Sequence, residues 1–292
     1  MEEIRRTIQK SLRWGIGHLK DSGVNNPRLD ADVLLAHCLE IEHAKLYVYE
    51  DKILDGREWK KYRKCIERRS KSEPVAYITE CKEFHSLNFR INKEVLIPRP
   101  ETEIIVEEVL KEYSSLKENN DLLRILELGT GSGIIAVSLA KEVKNLNIMA
   151  TDISPGIIKV ASDNARLHKV DDKINFFVGR FLEAIKEKRN QFDFIVSNPP
   201  YLSESDWKNA QPEIKEYEPQ DSLLGGDDGL EFYRKILPDV ITLLRNDGYL
   251  MLEVGVGQAD KVSDMIRKTD KYSKLEKIKD LSGISRLVKV QK

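Results

Sequence analysis

The chain has 292 residues, enough for one or two domains, and its 40% hydrophobic content can fill a buried core. No compositional extreme indicates a disordered or fibrous protein. The 48 Lys and Arg residues balance the 49 Asp and Glu residues, so the chain lacks the overall basic excess typical of proteins that bind along a DNA duplex.

The cysteines are Cys38, Cys65 and Cys81. Because their number is odd and no pair has the C-x2-C spacing, we expect neither a metal site nor a disulfide framework. We expect reduced thiols in a cytoplasmic protein. The first ten residues are charged and no run of 18 apolar residues occurs, which predicts neither a signal peptide nor a membrane span.

Residues 1–74 are expected to form a small helical domain. Leu12, Trp14, Ile16 and Leu19 lie near one helix face, and segments 30–41 and 59–66 carry apolar residues at helical spacing. Segment 75–78 and the apolar residues between 84 and 97 predict short strands, before Pro98 and Pro100 interrupt regular structure. We therefore expect a β-hairpin linker over residues 75–97.

Residues 98–292 alternate between predicted strands and helices. Helices are predicted at 103–113, 134–143 and 155–168, and strands at 124–128, 147–151, 174–178, 192–197 and 249–253. This alternation predicts an α/β fold with a parallel, doubly wound sheet. Such sheets bind ligands at the carboxyl ends of their strands.

A glycine-rich segment, ELGTGSG at 127–133, lies between a predicted strand and a predicted helix. A dinucleotide site would carry G-x-G-x-x-G, whereas this segment has G-x-G-x-G with an acidic residue two positions earlier. The spacing favours S-adenosylmethionine, because Glu127 can favour its cationic groups directly or through water. The cofactor-binding residues predicted here are Glu127, Gly129, Thr130, Gly131, Ser132 and Gly133.

Asp152 ends the next predicted strand, 21 residues after Gly131. An acidic residue at about this distance can accept both ribose hydroxyls, although Asp152 could instead cap the helix that follows Ser154 and Pro155. Phe181 follows the strand after that one, where an aromatic ring could line an adenine pocket or belong to the core. We predict cofactor contacts for both Asp152 and Phe181.

The segment Asn198-Pro199-Pro200-Tyr201 directly follows a predicted strand. Two prolines end the strand rigidly, so Asn198 points to the ligand edge. The Asn198 side-chain oxygen and the Pro199 carbonyl are acceptors that can hold both protons of a planar NH2 group. Tyr201 could pack against that plane. The pattern predicts methyl transfer to a nitrogen, although N-P also occurs in simple turns.

The motifs together resemble those of the PrmC/HemK family. IPRPETE at 97–103 precedes ELGTGSG and NPPY, which are followed by EP at 218–219, GGDDGL at 225–230, EVG at 253–255 and DLSG at 280–283. NPPY alone also occurs in amino-methylating DNA enzymes, but its combination with IPRPETE is much more specific. The resemblance extends over nearly the whole chain.

The resemblance implies a Rossmann-like S-adenosylmethionine-dependent methyltransferase domain at 98–292 and a helical domain at 1–74 that helps to hold the substrate. The substrate would be a class I peptide chain release factor, methylated on the N5 amide nitrogen of its GGQ glutamine. Carried over by position, Asn198, Pro199 and Tyr201 would be catalytic, with Asn198 also contacting the cofactor. The substrate-binding residues would be Arg99, Pro100, Asn198, Pro199, Pro200 and Tyr201.

Four residues depart from the family pattern. Glu127 stands where Asp is common, Arg180 where an acidic residue is common, Glu80 where glycine is frequent and His85 where tryptophan is frequent. The adenine contacts that the resemblance implies should therefore differ at Arg180, and the hairpin should differ at Glu80 and His85.

Three other functions remain open from the sequence. A sister glutamine methyltransferase of a ribosomal protein would share the chemistry and differ in its docking surface. An amino-group DNA methyltransferase would need a basic target-reading domain, which residues 1–97 do not resemble. A non-catalytic adaptor would not need the intact motifs. We expect no metal, no membrane and no stable nucleic-acid partner.

Overall fold

The computed structural model describes residues 6–115, 122–185, 191–269 and 271–292, and within them it contains the predicted alternation of strands and helices. The α-helices are α1 Ile8–Asp21, α2 Pro27–Leu39, α3 Lys45–Val48, α4 Gly56–Arg69, α5 Val75–Thr79, α6 Glu103–Ser115, α7 Ile134–Glu142, α8 Pro155–Leu167, α9 Glu204–Lys208, α10 Pro212–Tyr217, α11 Glu231–Val240 and α12 Ala259–Arg267. The strands are β1 Cys81–Phe84, β2 Leu87–Arg90, β3 Leu123–Leu128, β4 Leu146–Asp152, β5 Ile174–Val178, β6 Phe192–Ser197, β7 Leu244–Glu253, β8 Lys274–Lys279 and β9 Ser285–Gln291.

The chain divides into two units. One contains the residues up to 81 together with 211–217, and the other contains residues 82–210 and 218–292. The sequence assigned 75–97 to a linker of its own, whereas the structure groups 75–81 with the helices and 82–97 with the sheet. Within the part of the chain that the structure describes, every helix is too short or too polar to span a bilayer.

The helical unit has its own apolar core. Ile8, Leu19, Leu34 and Ile66 are fully buried in it and come from α1, α2 and α4. Each such side chain contributes about 2 kcal/mol on leaving water. Helix α4 begins with a capping box, in which the side chain of Asp55 accepts from backbone N–H groups of the first turn. The helix predicted around residues 59–66 is thus present.

Residues 211–217 join the helical unit through an arginine that the sequence did not single out. The buried Arg69 side chain donates to Asp30 at 2.6 Å and also pairs with Glu213 of α10. Tyr217 Oη donates to the Lys71 carbonyl at 2.7 Å. A segment that follows NPPY in the chain is therefore held by residues about 140 positions earlier.

The strand predicted at 75–78 is wrong, because these residues form helix α5. The helix ends at Glu80, which has φ 54°, a left-handed conformation that glycine adopts at lower cost. His85 and Ser86 also have positive φ, at 47° and 59°, as a two-residue type I′ turn between β1 and β2 requires.

The main sheet has the strand order β5-β4-β3-β6-β7-β9-β8. Its first five strands are parallel, and β9 pairs antiparallel with both β7 and β8. Side chains alternate between two apolar clusters, so that Ile125 of β3 belongs to one and Leu126 to the other. The strand order reverses between β3 and β6, so the carboxyl ends of β3, β4 and β6 meet at one crevice.

Candidate active site

A cavity of about 780 Å³ opens at the carboxyl ends of the parallel strands. Its wall includes ten of the predicted site residues: Arg99, Glu127, Gly129, Thr130, Gly131, Ser132, Asp152, Phe181, Asn198 and Pro200. Pro100, Gly133, Pro199 and Tyr201 lie outside this lining. Four separate strands and their loops therefore contribute to one concave surface, as the sequence predicted for the ligand edge of the sheet.

The glycine-rich loop turns sharply between β3 and α7. Its three glycines all have positive φ, 72° at Gly129, 54° at Gly131 and 82° at Gly133. A side chain at Gly131 would project into open space within the cavity wall, so this glycine leaves room for a ligand against the backbone. Gly133 instead packs against Ala161 of α8, where a Cβ atom would meet its neighbour at 3.2 Å.

Glu127 lies at the base of the cavity and is almost completely buried. Burial raises the pKa of Glu127 to about 8, because a charged carboxylate loses its hydration there. The Thr130 hydroxyl donates to Glu127 Oε2 at 2.9 Å and opposes that shift, whereas the nearby Asp152 adds to it. The carboxyl group is therefore poised to gain a negative charge when a cation enters.

Asp152 connects the glycine-rich loop to the end of β4. Its carboxylate accepts from the backbone N–H of Gly131 at 2.9 Å and from that of Ile153 at 2.8 Å. Burial raises its pKa, and these two hydrogen bonds oppose the rise. The N-cap of α8 is Ser154 and not Asp152. Each carboxylate oxygen keeps a lone pair for a ligand hydroxyl.

Asn198 is held from behind by a residue of the IPRPETE segment. Its Nδ2 donates to Thr102 Oγ1 at 2.9 Å, and Thr102 is fully buried. Thr102 in turn hydrogen-bonds the carboxylate of Glu253, which is 2% exposed. Because Asn198 also lines the cavity, its amide group has one end fixed in the protein and the other toward the ligand space.

Two glycines of the GGDDGL segment pack closely against the NPPY backbone. A Cβ atom on Gly225 would lie 2.6 Å from the Pro200 carbonyl oxygen, and one on Gly229 would overlap the Tyr201 carbonyl. Gln258 Nε2 donates to that same carbonyl at 2.8 Å. The GGDDGL segment therefore fixes the NPPY backbone by close packing, and Gln258 adds a hydrogen bond.

Arg99 forms an ion pair at 2.6 Å with Glu218, whose side chain is 2% exposed. Glu218 also accepts from the Ile97 backbone N–H at 3.3 Å. The EP motif therefore stabilises the IPRPETE segment beside the cavity. At the other end of that segment, the Arg286 guanidinium lies 3.9 Å from Glu101 and 3.0 Å from Asp280 of the DLSG motif.

Phe181 lines the cavity and also packs on Phe232 of α11, with 5.6 Å between ring centroids. The guanidinium of Arg180 lies 5.3 Å from the Phe181 ring centroid, and Lys235 Nζ lies 5.2 Å from it. Cations at these distances are attracted to an aromatic face. Arg180, which departs from the expected family pattern, is therefore accommodated as a ring contact.

Asn164 is a supporting residue to which the sequence assigned no role. Asn164 is fully buried in α8, and its Nδ2 donates at 2.8 Å to the carbonyls of both Ser132 and Arg90. Its Oδ1 accepts from the Arg90 N–H at 2.8 Å. It thus connects the glycine-rich loop to β2. Asn164 lies among apolar helix residues, a weak signal that could have indicated a buried amide.

Comparisons with known proteins agree with this arrangement. The PrmC N-terminal domain family matches residues 10–79, and a methyltransferase domain family matches residues 119–289. The release factor glutamine methyltransferase of Geobacter sulfurreducens is 40% identical over 282 residues, which cover 97% of this chain and 95% of that protein. The release factor glutamine methyltransferase of Koribacter versatilis is 36% identical and covers 97% of each chain.

Among solved structures, the N-terminal domain of human METTL16 in complex with SAH has a TM-score of 0.52 and 19% identity, covering 69% of this chain and 74% of that one. At this identity the likeness concerns the fold alone. The fold, the glycine-rich loop and the domain match together define an S-adenosylmethionine-dependent methyltransferase. Because relatives 40% and 36% identical match along almost its whole length, the chain belongs to the release factor glutamine methyltransferase family.

Proposed function

We propose that this protein transfers a methyl group from S-adenosylmethionine to the N5 side-chain amide nitrogen of the GGQ glutamine in class I peptide chain release factors. The observation that carries the proposal is the amide of Asn198, which lines the cavity while Thr102 holds its Nδ2 from the protein side. The names of the protein's relatives, which are release factor glutamine methyltransferases, support the substrate class.

The residues of the cavity fit the cofactor. The buried Glu127 can favour a cationic ammonium or sulfonium group, and Asp152 offers oxygen acceptors to ribose hydroxyls. The open space above Gly131 admits a ligand close to the backbone. When bound, S-adenosylmethionine supplies an electrophilic methyl group on a sulfonium whose departure leaves a neutral thioether.

On the substrate side, we propose that Asn198 Oδ1 and the Pro199 carbonyl each accept one proton of the glutamine NH2. The nitrogen lone pair of an amide is delocalised, so holding both protons favours the pyramidal geometry that develops as the N–C bond forms and the C–S bond breaks. The excess proton leaves the nitrogen to water after the attack. Catalysis then depends on positioning and preorganised dipoles rather than on a strong base.

Tyr201 is largely buried, and burial raises its pKa to about 12, so its hydroxyl is neutral at physiological pH. A neutral ring can pack against the planar amide without adding charge. We propose this role for Tyr201, and contacts with the substrate backbone for Arg99, Pro100 and Pro200. The Arg99 ion pair with Glu218 holds that segment in place.

The remaining predictions about partners belong to the same proposal. The match of the PrmC N-terminal domain family to residues 10–79 supports a substrate-holding role for the helical domain predicted at 1–74. A cytoplasmic location and the lack of a stable nucleic-acid partner stay predictions from composition and cysteine content.

The test is to incubate the protein with methyl-labelled S-adenosylmethionine and a folded class I release factor. A matched release factor whose GGQ glutamine is replaced by alanine is treated in parallel. We expect label on the first and none on the second. Label on both would mean that another residue is methylated, and label on neither, with the cofactor still bound, would contradict the proposed substrate and direct the search to ribosomal proteins and nucleic acid.

A further inference from the structure

The amide of Asn198 has two ends of almost equal shape, and only one of them suits the proposed reaction. The oxygen end can accept a proton of the substrate NH2, whereas the NH2 end would place two hydrogen-bond donors face to face. A half-turn of the side-chain amide exchanges the two ends at little steric cost. Something in the protein must therefore select one orientation.

Thr102 is the group that touches the protein end of this amide. Its Oγ1 lies 2.9 Å from Asn198 Nδ2 and is shielded from water, because Thr102 is fully buried. A hydroxyl group has one proton to donate and two lone pairs. Which end of Asn198 it prefers depends on where that single proton goes.

Glu253 at the end of β7 takes the proton. Burial raises the pKa of Glu253, and a hydrogen-bonding contact with the Thr102 side chain opposes that rise and therefore favours the charged form. The carboxylate oxygen Oε2 of Glu253 is buried and has no hydrogen-bond partner among the described residues. With its proton donated to Glu253, Thr102 can only accept from Asn198, so the amide must turn its NH2 end inward.

Protonation of Glu253 would remove this constraint. A protonated carboxyl group can donate to Thr102, which frees the threonine proton for the Asn198 oxygen and allows the amide to reverse. Arg286 and Arg99 face Glu253 and favour its charge, whereas Glu101 opposes it. Tyr201 and Tyr233 are the other titratable groups close to Glu253, and both remain neutral near pH 7 because burial raises their pKa values.

We propose that Thr102 and Glu253 are positioning residues that hold the Asn198 amide with its oxygen toward the substrate nitrogen. The inference rests on the proposed function, since it concerns how that site recognises an NH2 group. It assigns a role to the threonine of IPRPETE and to the glutamate of EVG, two motifs that are far apart in the chain. Burial raises the pKa of Glu253 to about 7, so the positioning should weaken as the pH falls through neutrality.

The decisive comparison is Thr102→Val against Thr102→Ser. Valine keeps the shape but removes the hydroxyl, whereas serine keeps the hydroxyl and loses only a methyl group. At saturating cofactor and release factor we expect Thr102→Val to lose about tenfold to a hundredfold in kcat, the loss typical of a misplaced reacting group. Thr102→Ser should retain most of the wild-type kcat, and both should bind S-adenosylhomocysteine within about threefold of wild type.

A third variant, Glu253→Gln, tests the direction of the hydrogen bonds. The wild type and Thr102→Ser should show kcat rising with pH through about 7, as Glu253 becomes charged. Glu253→Gln should have a lowered kcat without that rise, because glutamine cannot become charged. The KM for the release factor should change less than kcat in each variant.

The result that overturns the inference is a Thr102→Val protein with wild-type kcat and a wild-type pH profile. Equal losses in Thr102→Val and Thr102→Ser would also overturn it, because they would indicate packing rather than the hydroxyl. Bound S-adenosylhomocysteine and thermal unfolding report whether each variant is folded. If the wild type itself transfers no methyl group to the release factor, the proposed function fails, and the inference fails with it.

Discussion

The two walls of the cavity are shaped in different ways. The glycine-rich loop at 129–133 is defined by local backbone conformation, with positive φ at three glycines and hydrogen bonds that mostly stay within the loop and the neighbouring strand. The NPPY segment contains no glycine, and residues distant in the chain hold it in place. Its Asn198 is oriented by Thr102, 96 positions away, and its Tyr201 carbonyl is held by Gln258, 57 positions away. The comparison teaches that local pattern shapes the cofactor wall, whereas distant packing shapes the substrate wall.

The largest effect is expected at Asn198, where the two walls meet. Asn198→Ala should lower kcat by about a hundredfold to a thousandfold, as the removal of a preorganised polar group does at other active sites. Cofactor affinity should change far less, because the glycine-rich loop is not altered. Steady-state kinetics and calorimetric binding of S-adenosylhomocysteine measure the two quantities.

The exposed Asn209→Ala serves as the control for this variant and should behave as the wild type. An Asn198→Ala protein whose cofactor affinity fell as steeply as its rate would contradict a role in positioning the substrate.

The next largest effect is on the stability of the fold and concerns Asn164, which connects the glycine-rich loop to β2. Asn164→Ala should lower the free energy of unfolding by about 3 kcal/mol, because the buried Ser132 carbonyl and the backbone groups of Arg90 lose their partner. Urea unfolding followed by circular dichroism measures the change. The exposed Asn175→Ala should stay within about 0.5 kcal/mol of the wild type. Equal losses in both would mean that the Asn164 hydrogen bonds contribute nothing specific.

Alanine variants of Gly229 and Gly257 distinguish the free-energy cost of a strained backbone from the cost of a steric clash beside NPPY. Gly229 and Gly257 have nearly the same φ, 75° and 77°, but only Gly229 faces close neighbours, the Tyr201 carbonyl and the Gln258 amide. Both alanine variants should lose about 1 kcal/mol from backbone strain. Gly229→Ala should lose about 2 kcal/mol more, and it should also lower kcat because Tyr201 is displaced. Identical unfolding midpoints and rates for the pair would contradict the close packing.

The smallest effect, a change in cofactor affinity, is expected for Glu127→Gln, which preserves the shape of the side chain and an acceptor for Thr130. Burial raises the pKa of Glu127 to about 8, so the group carries its proton below neutrality and gains charge as the pH rises. A bound cation would favour the charged form. We therefore expect the wild type to gain affinity for the cofactor relative to Glu127→Gln between pH 6 and 8, by roughly tenfold or less.

Calorimetric titrations at several pH values provide this ratio of affinities. A ratio that does not change with pH would mean that Glu127 does not sense the cationic groups of the cofactor. For the unliganded protein, the effect of rising pH on the stability of the fold has the opposite sign. A raised carboxyl pKa stabilises the fold below the unfolded-state pKa of about 4.5, and this contribution is lost as the pH rises through about 8.

The sequence by itself placed the start of β7 five residues late, but it determined the α/β class, the strands β3 to β6 to within one residue at each end and the meeting of ELGTGSG, Asp152 and NPPY at one edge. It could do so because a parallel strand, a glycine turn and an X-Pro-Pro stop each depend on neighbouring residues and on a general rule of sheet topology. It misjudged residues 75–78, where an apolar segment of four residues has no period long enough to separate a strand from a helical turn.

Only the tertiary structure decided which residues stand behind the site. Thr102, Glu253 and Gln258 have no local pattern that distinguishes them from other polar residues, because each has a partner 57 or more positions away in the chain. The same holds for residues 211–217, which leave the sheet and pack with the helices around Arg69. A hydrogen bond between distant residues depends on how the whole chain folds, and sequence spacing carries no record of it.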